Sequence, residues 1–67
     1  MTNTELLRGR IKDKGLKLGF IAESCNITRA GLAKKLNNET DFRAGEINVL
    51  KNVLDLTNDE VVEIFFS

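Results

Sequence analysis

The sequence predicts an all-α fold, five short helices in one domain spanning residues 1–67. Three observations predict it. There is no proline, so no residue forces a helix to break. Apolar residues recur at spacings of three and four, and no stretch sustains an alternation of apolar with polar. Caps and stops punctuate these periodic runs. At 67 residues the chain has room for one small core, and folding buries only ~60% of the surface the unfolded chain exposes.

The first helix is predicted over Thr4–Lys14. Asn3 or Thr2 can cap it, and Glu5 in its first turn suits the positive end of the helix dipole. Leu7 and Ile11 form its core stripe, with Leu6 beside them. Cations at Lys12 and Lys14 followed by Gly15 make a good stop, because glycine takes positive φ at no steric cost. The second helix is predicted over Leu18–Cys25, with Leu18, Ile21, Ala22 and Cys25 inward. Gly19 costs it up to ~1 kcal/mol relative to alanine. Asn26 tolerates the left-handed region and suits a tight turn. The third helix is predicted over Arg29–Asn37, with Thr28 as N-cap and Leu32 and Leu36 buried. "NNETD" is then a polar loop. The fourth is predicted over Ala44–Leu54, on Ile47, Leu50 and Leu54, with Val49 and Val53 flanking. The fifth opens with "TNDE", Thr57 to Glu60, a capping box in which each side chain satisfies the other's free backbone N–H. Val61, Ile64 and Phe65 form its inner face, and Val62 and Phe66 lie off it.

Composition excludes several classes of function. There is no histidine, the commonest general base and metal ligand. The single cysteine, Cys25, can form neither an internal disulfide nor a zinc site of the usual ligand count. No cofactor, metal or small-molecule ligand is expected, and no enzymatic activity. Cys25 reads as a small core residue. No apolar run approaches the ~20 residues of a membrane span, and "MTNTELLRGR" lacks the apolar stretch of a signal peptide. The expectation is a cytoplasmic protein without membrane contact.

The net charge is zero, but the average hides a gradient. Residues 1–36 carry eight cations against three carboxylates, and residues 37–67 carry two against seven, so the halves stand at +5 and −5. Such asymmetry is a hint of a polyanion-binding side.

The two short helices joined through "CNIT" have the makings of a helix-turn-helix. The first needs a small residue where the second crosses, and Ala22 supplies it. The turn needs a residue that accepts positive φ, and Asn26 supplies it. The second needs a buried aliphatic, and Leu32 supplies it, while Ile27 plugs the turn into the core. The outer face of the second helix is polar, as entry into a major groove requires.

In "GLKLGFIAESCNITRAGLAKKLNN" and then "FRAGEINVLKNVLDLTNDEV", the chain resembles the phage repressor and Cro class, the Xre-type or lambda-repressor-like DNA-binding domains. The likeness covers nearly the whole chain. It departs from the family at three points: Asn26 stands where glycine is usual in the turn, Leu18 where glutamine usually opens the second helix, leaving Lys17 to replace that contact by charge, and the usual cap before that helix is missing, since lysine caps poorly. The resemblance implies that Arg29 and Ala30 face base edges, arginine reading guanine and alanine meeting a thymine methyl. It places Lys34 further along the exposed face and gives Thr28, Asn37 and Asn38 to phosphates. Lys35 points less directly and supplies charge. The expected partner is double-stranded DNA, bound by a homodimer, with part of "VVEIFF" a candidate dimer face. The expected role is a prophage-type transcriptional regulator. The alternative is a helical protein-interaction module, antitoxin-like or anti-repressor-like, on the same fold. Residues 27–38 hold three cations and no acid, which favours DNA. The zero net charge implies weak, salt-sensitive binding by a monomer.

Overall fold

The structure, a computed structural model, describes residues 1–66. Every regular element among them is a helix: α1 Thr4–Asp13, α2 Leu18–Ser24, α3 Arg29–Leu36, α4 Ala44–Val53 and α5 Asn58–Phe65. The first four end one residue earlier than their sequence pattern suggests. Lys14, Cys25, Asn37 and Leu54 are their C-caps. No helix among the described residues is long and apolar enough to cross a membrane.

The starts follow from side-chain chemistry. The Leu6 N–H donates to Asn3 Oδ1 at 3.1 Å, and the Gly31 N–H to Thr28 Oγ1 at 3.0 Å. The capping box at α5 is complete: Glu60 N–H donates to Thr57 Oγ1 at 3.1 Å and Thr57 N–H to Glu60 Oε1 at 2.9 Å. Each cap satisfies an amide that the helix itself leaves free. Lys17 makes no capping bond to α2.

The stops share one device. Gly15, Asn26, Asn38 and Asp55 follow the C-caps of α1 to α4 and all have φ between 54° and 67°. In each case the amide of the next residue reaches back to a carbonyl in the helix: Leu16 to Ile11 O, Ile27 to Ala22 O, Glu39 to Lys34 O and Leu56 to Lys51 O, at 2.8–3.2 Å. This is the Schellman closure, which absorbs orphan carbonyls and turns the chain sharply. Leu16, Ile27 and Leu56 then pack against or within the core.

The core gathers Leu7 and Ile11 from α1, Ile21 and Ala22 from α2, and Leu32 and Leu36 from α3. Leu50 comes from α4, and Ile64 and Phe65 from α5. Cys25, Phe42, Leu54 and Leu56 complete it from caps and loops. Burying each large side chain contributes about 1.5–3 kcal/mol, the main offset to chain entropy in a domain without a disulfide. Phe42 stands edge-on to Phe65 with ring centroids 5.6 Å apart. The N-terminal strap is tied to the far end of the chain, because the Asn3 N–H donates to Ile64 O at 2.6 Å.

Two predictions follow from caps and stops. Replacing Asn26 by alanine forces a Cβ-bearing residue without a compensating side chain into the left-handed region. It should cost about 1 kcal/mol, whereas Asn26→Gly should be neutral or stabilising; urea unfolding of both variants checks this. The backbone N–H of Thr57 holds the Glu60 carboxyl below its ordinary pKa, and Arg10 adds to the effect. A lowered folded-state pKa gives stability that is complete above the unfolded carboxylate range and is lost as pH falls through the folded value. The stability difference between wild type and Glu60→Gln should therefore shrink on acidification from about pH 6 to about pH 3, measured by urea unfolding across that range.

Candidate functional site

The site is built on α2 and α3, which pack against each other, while α2 also packs on α4. Their connection is short because the Asn26 turn reverses the chain at once and Thr28 starts the next helix. Leu32, Leu36 and Ala22 are buried at 1–2% exposure, so one side of α3 is committed to the core.

The other side is exposed at Ala30, Ala33, Lys34 and Asn37. These residues are spaced three, one and three apart, so they share one face of the helix. Two of the four are alanines, so neighbouring surfaces can approach the backbone closely. Thr28 and Arg29 are exposed at the start of the helix. A β-carbon at Gly19 would stand 3.7 Å from Arg29 Cδ and 4.0 Å from its Nε, so the arginine stem lies across α2. Arg29 thus flanks the Ala30–Asn37 stripe on the α2 side. A shallow groove there is lined by Gly19, Ala22, Glu23, Asn26, Thr28 and Arg29, with Ile27 in its wall. Glu23 is the one acid in this lining.

The remaining sequence candidates fall in three groups. Lys17 is exposed ahead of α2 and belongs to the same basic side of the sequence. Leu18 is half-buried and packs against the core, so its side chain is a structural anchor. Asn37 and Asn38 are exposed but already engaged. Asn37 is the C-cap of α3, and its Oδ1 accepts from Arg8 Nη2 at 3.2 Å. Asn38 takes φ 60° and its Nδ2 donates to Thr2 O at 3.3 Å. The loop-forming role of the Asn pair is thus direct.

Lys35 is corrected by the structure. It is buried at 9% exposure, and its Nζ donates to Asp41 O at 2.9 Å and pairs with Glu46 at 3.2 Å. The ammonium also lies 5.9 Å from the Phe42 ring centroid. It is an internal tie between α3 and α4 and not a surface charge. The physical reason is its place three residues after Leu32, on the inward side of the helix, with an acid waiting on α4. The same Glu46 Oε1 accepts the Arg43 N–H at 2.8 Å, so one carboxylate oxygen serves both the α4 cap and the α3 lysine.

Sequence reading missed Arg8. Its Nη2 reaches Leu36 O at 3.4 Å as well as Asn37, bringing a third guanidinium or ammonium group to the stripe beside Arg29 and Lys34. No local signal could reveal it, since 28 and 29 residues separate the partners. Cys25 is buried, and burial pushes its thiol pKa up, with Glu46 adding to the effect. It is therefore a poor nucleophile. Among the described residues no three His, Cys, Asp or Glu side chains converge to hold a metal.

Comparisons with protein-family models, with curated proteins and with solved structures find no match for this chain.

The Lys35 tie gives a prediction. Lys35→Met removes a cation whose partner is itself largely shielded, and should cost about 1–3 kcal/mol. In the double variant Lys35→Met/Glu46→Leu the loss should be smaller than the sum of the single losses, because no charge is left behind. Denaturant unfolding of the three variants provides the cycle.

Proposed function

We propose that this protein binds double-stranded DNA as a sequence-reading helix-turn-helix domain of the lambda-repressor-like class. In this reading α2 and α3 form the motif and α3 enters the major groove. One observation carries the reading. The outward stripe of α3 (Ala30, Ala33, Lys34, Asn37) is slim, flanked by Arg29 and Arg8, and free of acid from residue 27 to residue 38. A helix presented to a major groove needs this combination: small side chains for close approach, hydrogen-bonding groups for base edges, and cations for phosphates.

The roles divide by position. Arg29 reads a base edge, with guanine the best fit to its paired donors, and Ala30 offers a methyl to thymine. Lys34 supplies charge further along the face. Thr28 flanks the start of the helix, while Arg8 and Asn37 mark its end. Lys17 adds charge from the start of α2. The chain acts as a homodimer on a palindrome whose half-sites are one helical turn apart, about 34 Å. Its biological role in this reading is transcriptional regulation of the prophage type.

A second reading, a protein-interaction module on the same fold, draws support from the zero net charge and from Glu23 beside Arg29. Selection of the purified protein on a random DNA pool separates the two. The DNA reading expects an enriched palindrome; diffuse retention at about physiological salt supports the second. Arg29→Ala should lose discrimination at one position of each half-site, by about 1–3 kcal/mol. Lys34→Ala should weaken all sequences evenly and lower the slope of log K against log salt by about 1. Unchanged specificity in Arg29→Ala would remove Arg29 from the reading role.

A further inference from the structure

At the C-terminal end of α3 the carbonyls of Ala33, Lys35 and Lys34 accept from the amides of Asn37, Asn38 and Glu39 at 2.8–3.1 Å. The Leu36 carbonyl is answered from elsewhere in the fold. Arg8 of α1 donates to it from Nη2 at 3.4 Å, and the same nitrogen donates to Asn37 Oδ1 at 3.2 Å. Arg8 and Asn37 are both exposed, and Asn37 ends the outward stripe of α3. A guanidinium from one helix thus stands at the rim of the face that another presents.

The C-terminus of a helix carries a partial negative charge, equivalent to about half an elementary charge, and by itself repels an anion. Arg8 sets a full positive charge on that end of α3. It makes these bonds although Glu5 is exposed one turn before it on α1 and Glu39 is exposed two residues beyond Asn37. Both of its acceptors are neutral, so neither cancels its charge. Nη2 supplies both bonds, which leaves the donors on Nη1 and Nε. The contact also fixes what Asn37 can offer. A guanidinium only donates, so the amide atom turned to it is the oxygen. With that oxygen held, the Asn37 amide has only N–H groups to present to a ligand. It is unsuited to the paired accept-and-donate contact that reads adenine, and suited to an acceptor such as a phosphate oxygen. Capping alone would account for the bond to Leu36 O and leaves the bond to the Asn37 side chain unexplained.

We propose that Arg8 and the Asn37 amide together clamp one phosphate of the DNA backbone, at the point where the C-terminal end of α3 leaves the major groove. This role rests on the DNA reading of α2 and α3 and adds to it a residue of α1. Arg8 brings the charge and a donor, and Asn37 brings a second donor. The bond between them sets their spacing before DNA arrives, so little ordering is left to be done on binding. Eight residues of helix, about 12 Å, separate Arg29 from Asn37. A phosphate held at one end of α3 therefore fixes where Arg29 meets the bases at the other.

The test uses the full chain and the palindrome enriched from the random pool, with a neutral methylphosphonate placed at each phosphate in turn. Neutralising a clamped phosphate should weaken wild-type binding by about tenfold. At one phosphate of each half-site that effect should fall to about twofold or less in Arg8→Ala, and should shrink at the same phosphate in Asn37→Ala. Arg8→Lys should restore part of it. Lys14→Ala removes the same charge from the far end of α1 and should leave it as in wild type. Asn37→Asp pairs with Arg8 but sets a carboxylate where the phosphate sits. It should weaken binding by about tenfold or more with the helical circular dichroism unchanged. If every phosphate acted alike on wild type and Arg8→Ala, or if Asn37→Asp bound as tightly as wild type, the clamp would be overturned and the DNA reading would stand. A wild-type chain that enriched no sequence would remove the DNA reading and the clamp with it.

Discussion

Four backbone positions in the left-handed region, Gly15, Asn26, Asn38 and Asp55, set the direction of every helix that follows them. A chain this short cannot spend residues on long connections and still close a core. Each stop therefore turns within three residues, satisfies the last carbonyls by reaching back, and for Leu16, Ile27 and Leu56 delivers an apolar side chain to the interior. The turn at Asn26 is also what lets α2 and α3 lie against each other. The geometry of the candidate site thus begins in one residue's φ of 59°.

A second constraint fixes the far end of α3. Lys35 is tied to the Asp41 carbonyl and to Glu46, and Glu46 in turn accepts the amide that opens α4. Phe42 lies under the lysine and against Phe65 of α5. The polar tie and the aromatic contact occupy the same corner, so the Asn37–Arg43 connection, which carries few buried residues of its own, is held at both ends. Sharing one carboxylate oxygen between two donors keeps the lysine's burial from leaving a charge unanswered. The inward commitment of Lys35 leaves Lys34 as the exposed cation of the pair. The outer face of α3 is consequently narrower in charge than the run "KK" suggests.

Much of this was legible from sequence because it is local. Thr28, Asn3 and the Thr57–Glu60 box announce helix starts by residue type and spacing, and Gly15 and Asn26 announce stops. The inward apolar stripes follow from periods of three and four. Asp55 was not legible as a stop, since aspartate takes positive φ less readily than glycine and its neighbours gave no sign. Phe42 and Leu56 escaped because they enter the core from outside helices, where periodicity says nothing. Within the candidate site the exposure of Thr28, Arg29, Ala30 and Lys34 follows from the position of Leu32 and Leu36. Lys35 and Arg8 depend on partners 11 and 28–29 residues away, and only the tertiary arrangement that brings Glu46 to Lys35 and Arg8 to the end of α3 decides them. Leu18 is the mixed case: its type already spoke for packing, and the family likeness alone put it at the site.

The charge gradient along the sequence acquires a physical meaning once the chain is folded. The cations nearest the outer face of α3 come from α1 and α3, and the carboxylates gather on α5 and around the loops that serve α4. Charges of opposite sign kept on separate elements cancel in the total without cancelling locally. A net charge of zero therefore says little about the field at either surface. Two ion pairs, Arg10–Glu60 and Lys35–Glu46, each join the basic half of the sequence to the acidic half. These two contacts staple α1 to α5 and α3 to α4. The charges exposed on each side set what approaches it.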